Sequence, residues 1–245
     1  MERYVCIHGH FYQPPRENPW LEEVEMQEGA YPFHDWNRRI NEECYRQNAA
    51  SRILGPDRKI IDIVNNYSNM SFNFGPTLLS WLESHEPDVY ESILEADKLS
   101  MENFSGHGAA IAQVYNHMIL PLSNTRDKHT QVIWGIEDFE SRFDRTPEGM
   151  WLAETAVNTD SLEVLAEHGI KFTILAPHQA LKFRKIGVGR WVDVKNDNLD
   201  ITMPYLCHLP SGKTISLFFY DGKVANGVAY GGLLHDGKGF ATFPS

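Results

Sequence analysis

Cysteine is scarce in this chain: only Cys6, Cys44 and Cys207 occur among 245 residues, widely spaced and with no Cys-x-x-Cys. Such a set supplies neither a disulfide framework nor a thiolate zinc site, so the three read as small buried hydrophobes of a reducing compartment. Long apolar runs are missing too. No stretch approaches the roughly 20 residues of a membrane span. The opening "MERYVCIHGHFYQPP" enters a strand-like run without the regions of a signal peptide. The expectation is a soluble cytoplasmic protein with no membrane partner. Positive charge is the third shortage: 22 basic residues stand against 33 acidic ones, a net charge of −11, with no Lys/Arg cluster beyond a few residues. Phosphate backbones are held by such clusters, so nucleic acid is not an expected partner. Nothing in the chain specifies an oligomeric state.

Aromatic residues, by contrast, are plentiful, with 6 Trp, 10 Tyr and 13 Phe. They can fill a core or stack on the C–H faces of sugar rings, and an acidic surface suits neutral polyhydroxylated ligands or small cations. With 42% hydrophobic residues the chain can bury a substantial core. Because barrel folds take about 250 residues as one unit, residues 1–245 are expected to form a single domain.

Hydrophobic periodicity predicts strands at 3–10, 69–75, 108–116, "EGMWLAE" (148–154), "IKFTILAP" (170–177) and 214–222. Helical patterns separate them over 35–54, 56–67, 76–100 with a break near Pro87, 125–147 and 158–169. The helix at 125–147 places Val132, Ile133, Ile136 and Phe139 near one face, and a hairpin-like polar insert precedes the sixth strand. This alternation argues for an α/β fold with a parallel sheet or barrel. A closed parallel barrel would need at least one more strand than these six, so the chain reads as the N-terminal part of a longer protein.

Loops at strand C-termini build the active site of such barrels. The residues there are His8 and His10, His117, Glu154, His178 and Asp221. Two chemistries fit them. Residues i and i+2 of a strand face one side, so His8 and His10 can bind Zn²⁺ with His117, His178 and Asp221 completing a hydrolase or deacetylase-like site. Alternatively, Glu154 is one of the two carboxylates that glycoside chemistry needs. A structural role as a helix N-terminal acid is the plain alternative for Glu154.

The motifs also carry a resemblance. "HGHFYQPPRENPW" is similar to the opening signature of glycoside hydrolase family 57, of His-x-His-Gln-Pro type, with a two-residue insertion between His10 and Gln13. "AQVYNHMILPLS" (112–123) resembles the second motif through His117, and "GMWLAETAV" the third, in which Glu154 takes the place of the nucleophile. "LFFYDGKVANGVAYGG" resembles the segment after the sixth strand, with Tyr220 in place of an Arg before Asp221. The match spans 4–232 in the family's order and looks closest to an uncharacterised prokaryotic branch.

The resemblance implies an incomplete (β/α)7 barrel that hydrolyses or transfers α-linked glucans with retention and without a metal or other cofactor. It implies Glu154 as nucleophile and His8, His10 and His117 as hydrogen-bonding groups for the reacting sugar, with an oligo- or polysaccharide as partner. Gln13 would contact vicinal hydroxyls or brace the Pro14-Pro15 loop, Trp20 and Trp151 are stacking candidates, and Asp221 is an orienting acid or a turn-starter. The family's general acid follows a seventh strand, and "HDGKG" (235–239) shares only its Asp-Gly pair. The chain alone is therefore expected to lack its acid, with a non-catalytic carbohydrate-binding barrel as a further alternative.

Overall fold

The computed structural model describes residues 4–195, 198–235 and 237–242. Arg3 of the first predicted strand, Asn196 and Asp197 of the polar insert, and Asp236 of "HDGKG" lie outside the described residues. Contacts divide the chain into two units, Met1–Met118 with Asn124–Pro147, and Ile119–Ser123 with Glu148–Ser245.

In the first unit, β1 (His8–Phe11) is followed by a helical stretch made of α1 (Trp36–Ile40), a π-helical turn (Asn41–Tyr45) and α2 (Arg46–Ala49). Residues 51–64 depart from the expected helix. They form an antiparallel hairpin of β2 (Ser51–Leu54) and β3 (Ile60–Val64), turned through Arg58 at φ 62°. The β-branched residues Ile53, Ile60, Ile61, Ile63 and Val64 suit a pleated surface, and the Gly55-Pro56 pair breaks the helix between them. β1 is also shorter than expected: Val5 and Ile7 precede it and are exposed. Cys6 is exposed with them, and Cys44 and Cys207 are half-buried, so the cysteines are not the buried hydrophobes expected, although all three are free thiols.

β4 (Ser71–Phe74) runs parallel to β1, pairing His8 with Ser71, Gly9 with Phe72, His10 with Asn73 and Phe11 with Phe74. Because side chains alternate along a strand, this register sorts polar from apolar. His8, His10, Ser71 and Asn73 share one face, while Phe11, Phe72 and Phe74 share the other. The apolar face packs with Tyr45 and Tyr67, Phe11 stacking on Phe74 at 4.7 Å. Each fully buried ring contributes on the order of 2–3 kcal/mol. Pro76 and Pro87 start α3 (Pro76–His85) and α4 (Pro87–Asn103), where a missing N–H costs nothing. Short β5 (Ala112–Gln113) leads to α5 (Thr125–Phe143), capped by Asn124 and burying Val132, Gly135, Phe139 and Phe143, with Ile133 and Ile136 at the edges of that face.

In the second unit, β6 (Met150–Trp151) precedes α6 (Thr159–Glu167), whose N-cap Asn158 accepts from the Ser161 amide and which ends before Gly169 at φ 82°. β7 (Phe172–Leu175) follows, then the antiparallel hairpin β8 (Lys182–Phe183) and β9 (Val192–Asp193). β10 (Tyr205–His208) is antiparallel to β11 (Thr214–Phe219), which lies parallel to β7. α7 (Gly222–Ala229) follows, then a 3-10 turn (Leu233–His235) and α8 (Gly237–Ala241). Met150, Leu152, Leu165, Leu175 and Ile215 form this unit's core. Parallel strand pairs alternating with helices make the chain an α/β protein.

Candidate active site

The first unit brings three of the predicted residues together. Ser71 Oγ lies 2.9 Å from His8 Nδ1, and His8 Nε2 lies 3.1 Å from Asn73 Oδ1. Asn73 Nδ2 lies 2.9 Å from His10 Nδ1 and donates to Gln113 Oε1 at 2.7 Å. His10 Nε2 meets His117 Nε2 at 3.0 Å. Tyr12 stacks on the His117 ring, centroids 3.9 Å apart. Burial pushes His8 and His10 down to about 4, opposed by the Asn73 hydrogen bond and, for His10, reinforced by His117. Both imidazoles are therefore neutral at pH 7.

The nitrogens of His8 and His10 are all committed to Ser71, Asn73 and His117. Among the described residues no group of three or more His, Cys, Asp or Glu is arranged to hold a metal ion. Zinc ligation by His8 and His10 would have to break the chain of hydrogen bonds. His8, bonded at both nitrogens, acts as a support within it, whereas His10 and His117 form its outer end.

His117 owes its place to α5. Gln131, buried on that helix, takes the Asn116 amide on Oε1 at 2.8 Å and donates Nε2–H to Asn116 Oδ1 at 3.1 Å. The clamped backbone turns through His117 at φ 54°, a left-handed conformation that costs a non-glycine residue on the order of 1 kcal/mol or more.

The same strain recurs at Glu154. It follows β6, is exposed, and sits at φ 56° and ψ 21°, with Thr155 at φ 53° beside it. Gln179, in the turn after β7, fixes this bend by donating Nε2–H to the Thr155 carbonyl at 2.7 Å while its Oε1 accepts from the Ala176 amide at 2.7 Å. The helix that follows begins at Thr159 and is capped by Asn158. Glu154 itself lies in a short 3-10 turn (Ala153–Thr155) ahead of that cap.

The other candidates divide. Gln13 is braced at both ends of its amide, donating to the Tyr45 hydroxyl at 3.2 Å and accepting from Arg16 at 2.7 Å. Trp20 is 87% exposed in a turn. Trp151 lies half-buried in β6. His178 is exposed beside Gln179. Asp221 is the N-cap of α7, with Oδ1 accepting from the Lys223 and Val224 amides. Sequence reasoning missed Ser71, Asn73, Gln113, Gln131, Gln179 and Tyr12. The alternation of Ser71 and Asn73 with Phe72 and Phe74 was a signal for two of them.

Fold and site together describe an α/β protein with a polar strand-end cluster in one unit and an exposed acid on a strained strand-end turn in the other. The family model described as Glycosyl hydrolase family 57 matches residues 6–236, and the chain belongs to that family. Alpha-amylase 1 of Dictyoglomus thermophilum is 29% identical over 107 residues, which are 43% of this chain and 15% of that protein. A 4-alpha-glucanotransferase from Thermococcus litoralis superimposes with a TM-score of 0.56 at 19% identity, over 92% of this chain and 29% of its own. An exo-type maltose-forming amylase from Pyrococcus sp. ST04 gives 0.61 at 14% identity, over 92% and 36%. A branching enzyme of the same family from Thermococcus kodakaraensis gives 0.54 at 16% identity, over 96% and 51%. The chain thus spans about half or less of the length of each of these relatives. At these identities the structural likeness is one of fold. Among the described residues no helix is long and apolar enough to cross a membrane.

Proposed function

We propose that this chain carries the nucleophile half of a retaining enzyme that hydrolyses or transfers α-linked glucans. In this reading residues 1–245 belong to one cytoplasmic α/β barrel domain of incomplete (β/α)7 type, and the general acid is provided by a further part of the enzyme. The observation that carries it is the exposed Glu154 on a left-handed turn after β6, ahead of a helix whose N-terminus Asn158 caps. Amylase, glucanotransferase and branching enzyme among the similar proteins favour an α-glucan substrate.

Glu154 attacks the anomeric carbon from the β face, the leaving oxygen departs with a proton, and a water or sugar hydroxyl then displaces the carboxylate. The neutral imidazole of His10 and the ring of His117 give and take hydrogen bonds with sugar hydroxyls. His8 holds His10 in place through Asn73. Trp20 and Trp151 serve as stacking surfaces, Gln13 keeps the Pro14-Pro15 loop in shape, and Asp221 orients the segment after β11.

α-Maltosyl fluoride tests this directly, because fluoride leaves without a proton and makes the general acid dispensable. Glu154→Gly should lower turnover on the order of 10³-fold or more. Added azide should restore it by attacking the vacated β face, giving β-maltosyl azide. Wild-type turnover in that variant refutes the assignment.

A further inference from the structure

We infer that Asn73 is a positioning residue: its amide sets which ring nitrogen of His10, and through the His10–His117 contact of His117, carries the proton. The functional consequence rests on the sugar-contacting role proposed above for these histidines, whereas the proton placement does not.

Asn73 is 1% exposed and sits opposite His10 in the β1–β4 register. Its Nδ2 has two hydrogens and two acceptors, Gln113 Oε1 at 2.7 Å and His10 Nδ1 at 2.9 Å, the latter nearer to Nδ2 than to Asn73 Oδ1 at 3.3 Å. A His10 ring that accepts at Nδ1 and is neutral must carry its proton on Nε2. That proton points along the 3.0 Å contact to His117 Nε2, which must accept it. A His117 ring that accepts at Nε2 carries its proton on Nδ1, and in the proposed reaction it meets the sugar as a hydrogen-bond donor.

On the other side the logic closes in the same direction. His8 gives its Nε2 proton to Asn73 Oδ1 at 3.1 Å and takes the Ser71 hydroxyl proton on Nδ1. Gln113, buried on β5, opposes a turn of the Asn73 amide alone, which would set its oxygen against Gln113 Oε1, although among the described residues Gln113 Nε2 has no hydrogen-bond partner. The Tyr12 ring over His117, and the near-parallel His10 and His117 rings at 5.1 Å, hold the imidazole planes. With the planes fixed, proton placement is the remaining variable, and two amides decide it. Burial keeps His8 and His10 uncharged near neutrality.

The experiment is imidazole ¹⁵N NMR on histidine-labelled protein at pH 7, in wild type and in Asn73→Asp. Wild type should show His10 protonated on Nε2 and His117 on Nδ1. A carboxylate at position 73 can only accept, so His10 should gain an Nδ1 proton and its titration midpoint should rise by about 2 in pH. The acid limb of kcat/KM for α-maltosyl fluoride should move with it, which a purely structural defect would not produce. Wild-type His10 protonated on Nδ1 overturns the inference even if Asn73→Asp does not fold. So does a folded Asn73→Asp variant with an unchanged His10 tautomer and midpoint. A wild-type enzyme inert toward the fluoride would count against the proposed function, while the spectra still decide the role of Asn73.

Discussion

Replacing Arg145 with Leu should cost this protein far more than a surface charge would. The Arg145 guanidinium grips Asp97 with two parallel bonds, Nε to Oδ2 and Nη2 to Oδ1, both 2.8 Å, and Nη2 also reaches the Ala110 carbonyl at 2.8 Å. Asp97 is 1% exposed, and its Oδ1 in turn accepts the Ala110 amide at 2.8 Å. The pair therefore ties α4 to the segment that leads into β5, and so to Gln113 and His117. Without the guanidinium, a buried carboxylate keeps a single backbone donor, a loss of about 3–5 kcal/mol. For a chain of this size that lowers Tm by roughly 6–20 °C. Urea unfolding at pH 7.5 followed by tryptophan fluorescence gives the number. Gly108→Ala should reproduce much of the defect, because its Cβ would clash with the Arg145 guanidinium. A loss below about 1 kcal/mol in Arg145→Leu refutes the reasoning.

The buried histidines make a pH prediction with a definite sign. His8 and His10 titrate near 4 in the folded chain and near 6.5 when unfolded, so the unfolded state binds more protons between those values. Stability is fully present above pH 6.5 and falls as the pH drops towards 4, by up to about 1.4 kcal/mol per pH for each histidine. The urea midpoint measured across that window should drop less steeply in His10→Gln, and equal slopes would show that His10 is charged in the fold. Glu154→Gly, which removes the proposed nucleophile, should leave stability unchanged or raise it by up to about 1 kcal/mol, because glycine accepts φ 56° without strain. A loss of more than 1 kcal/mol would mean that the carboxylate holds the turn together.

Much of the frame was legible because the signals were local. Pro76 and Pro87 at helix starts, Asn124 and Asn158 at caps, and Gly169 at a helix end each act within one turn of the chain. The hairpin at 51–64 was not. Its isoleucines fit a helical rhythm and a pleated strand alike, and the Gly55-Pro56 turn was the better guide. For the site, residue types at strand ends pointed to His8, His10, His117 and Glu154, but their conformations are set from far away in sequence. Gln131 bends the backbone at His117 and Gln179 the one at Glu154, and neither glutamine stands in a motif.

The left-handed turns carry information that composition hides. Glycine or asparagine would meet φ near 55° at less cost than glutamate, histidine or the β-branched Thr155. A fold that were only economising on backbone energy would place glycine at 154, where the side chain is exposed and buries no apolar surface. The helix that follows is already capped by Asn158. What is left to justify the strain is the carboxylate itself, held rigidly at the end of β6 by a glutamine that spends both ends of its amide on the backbone.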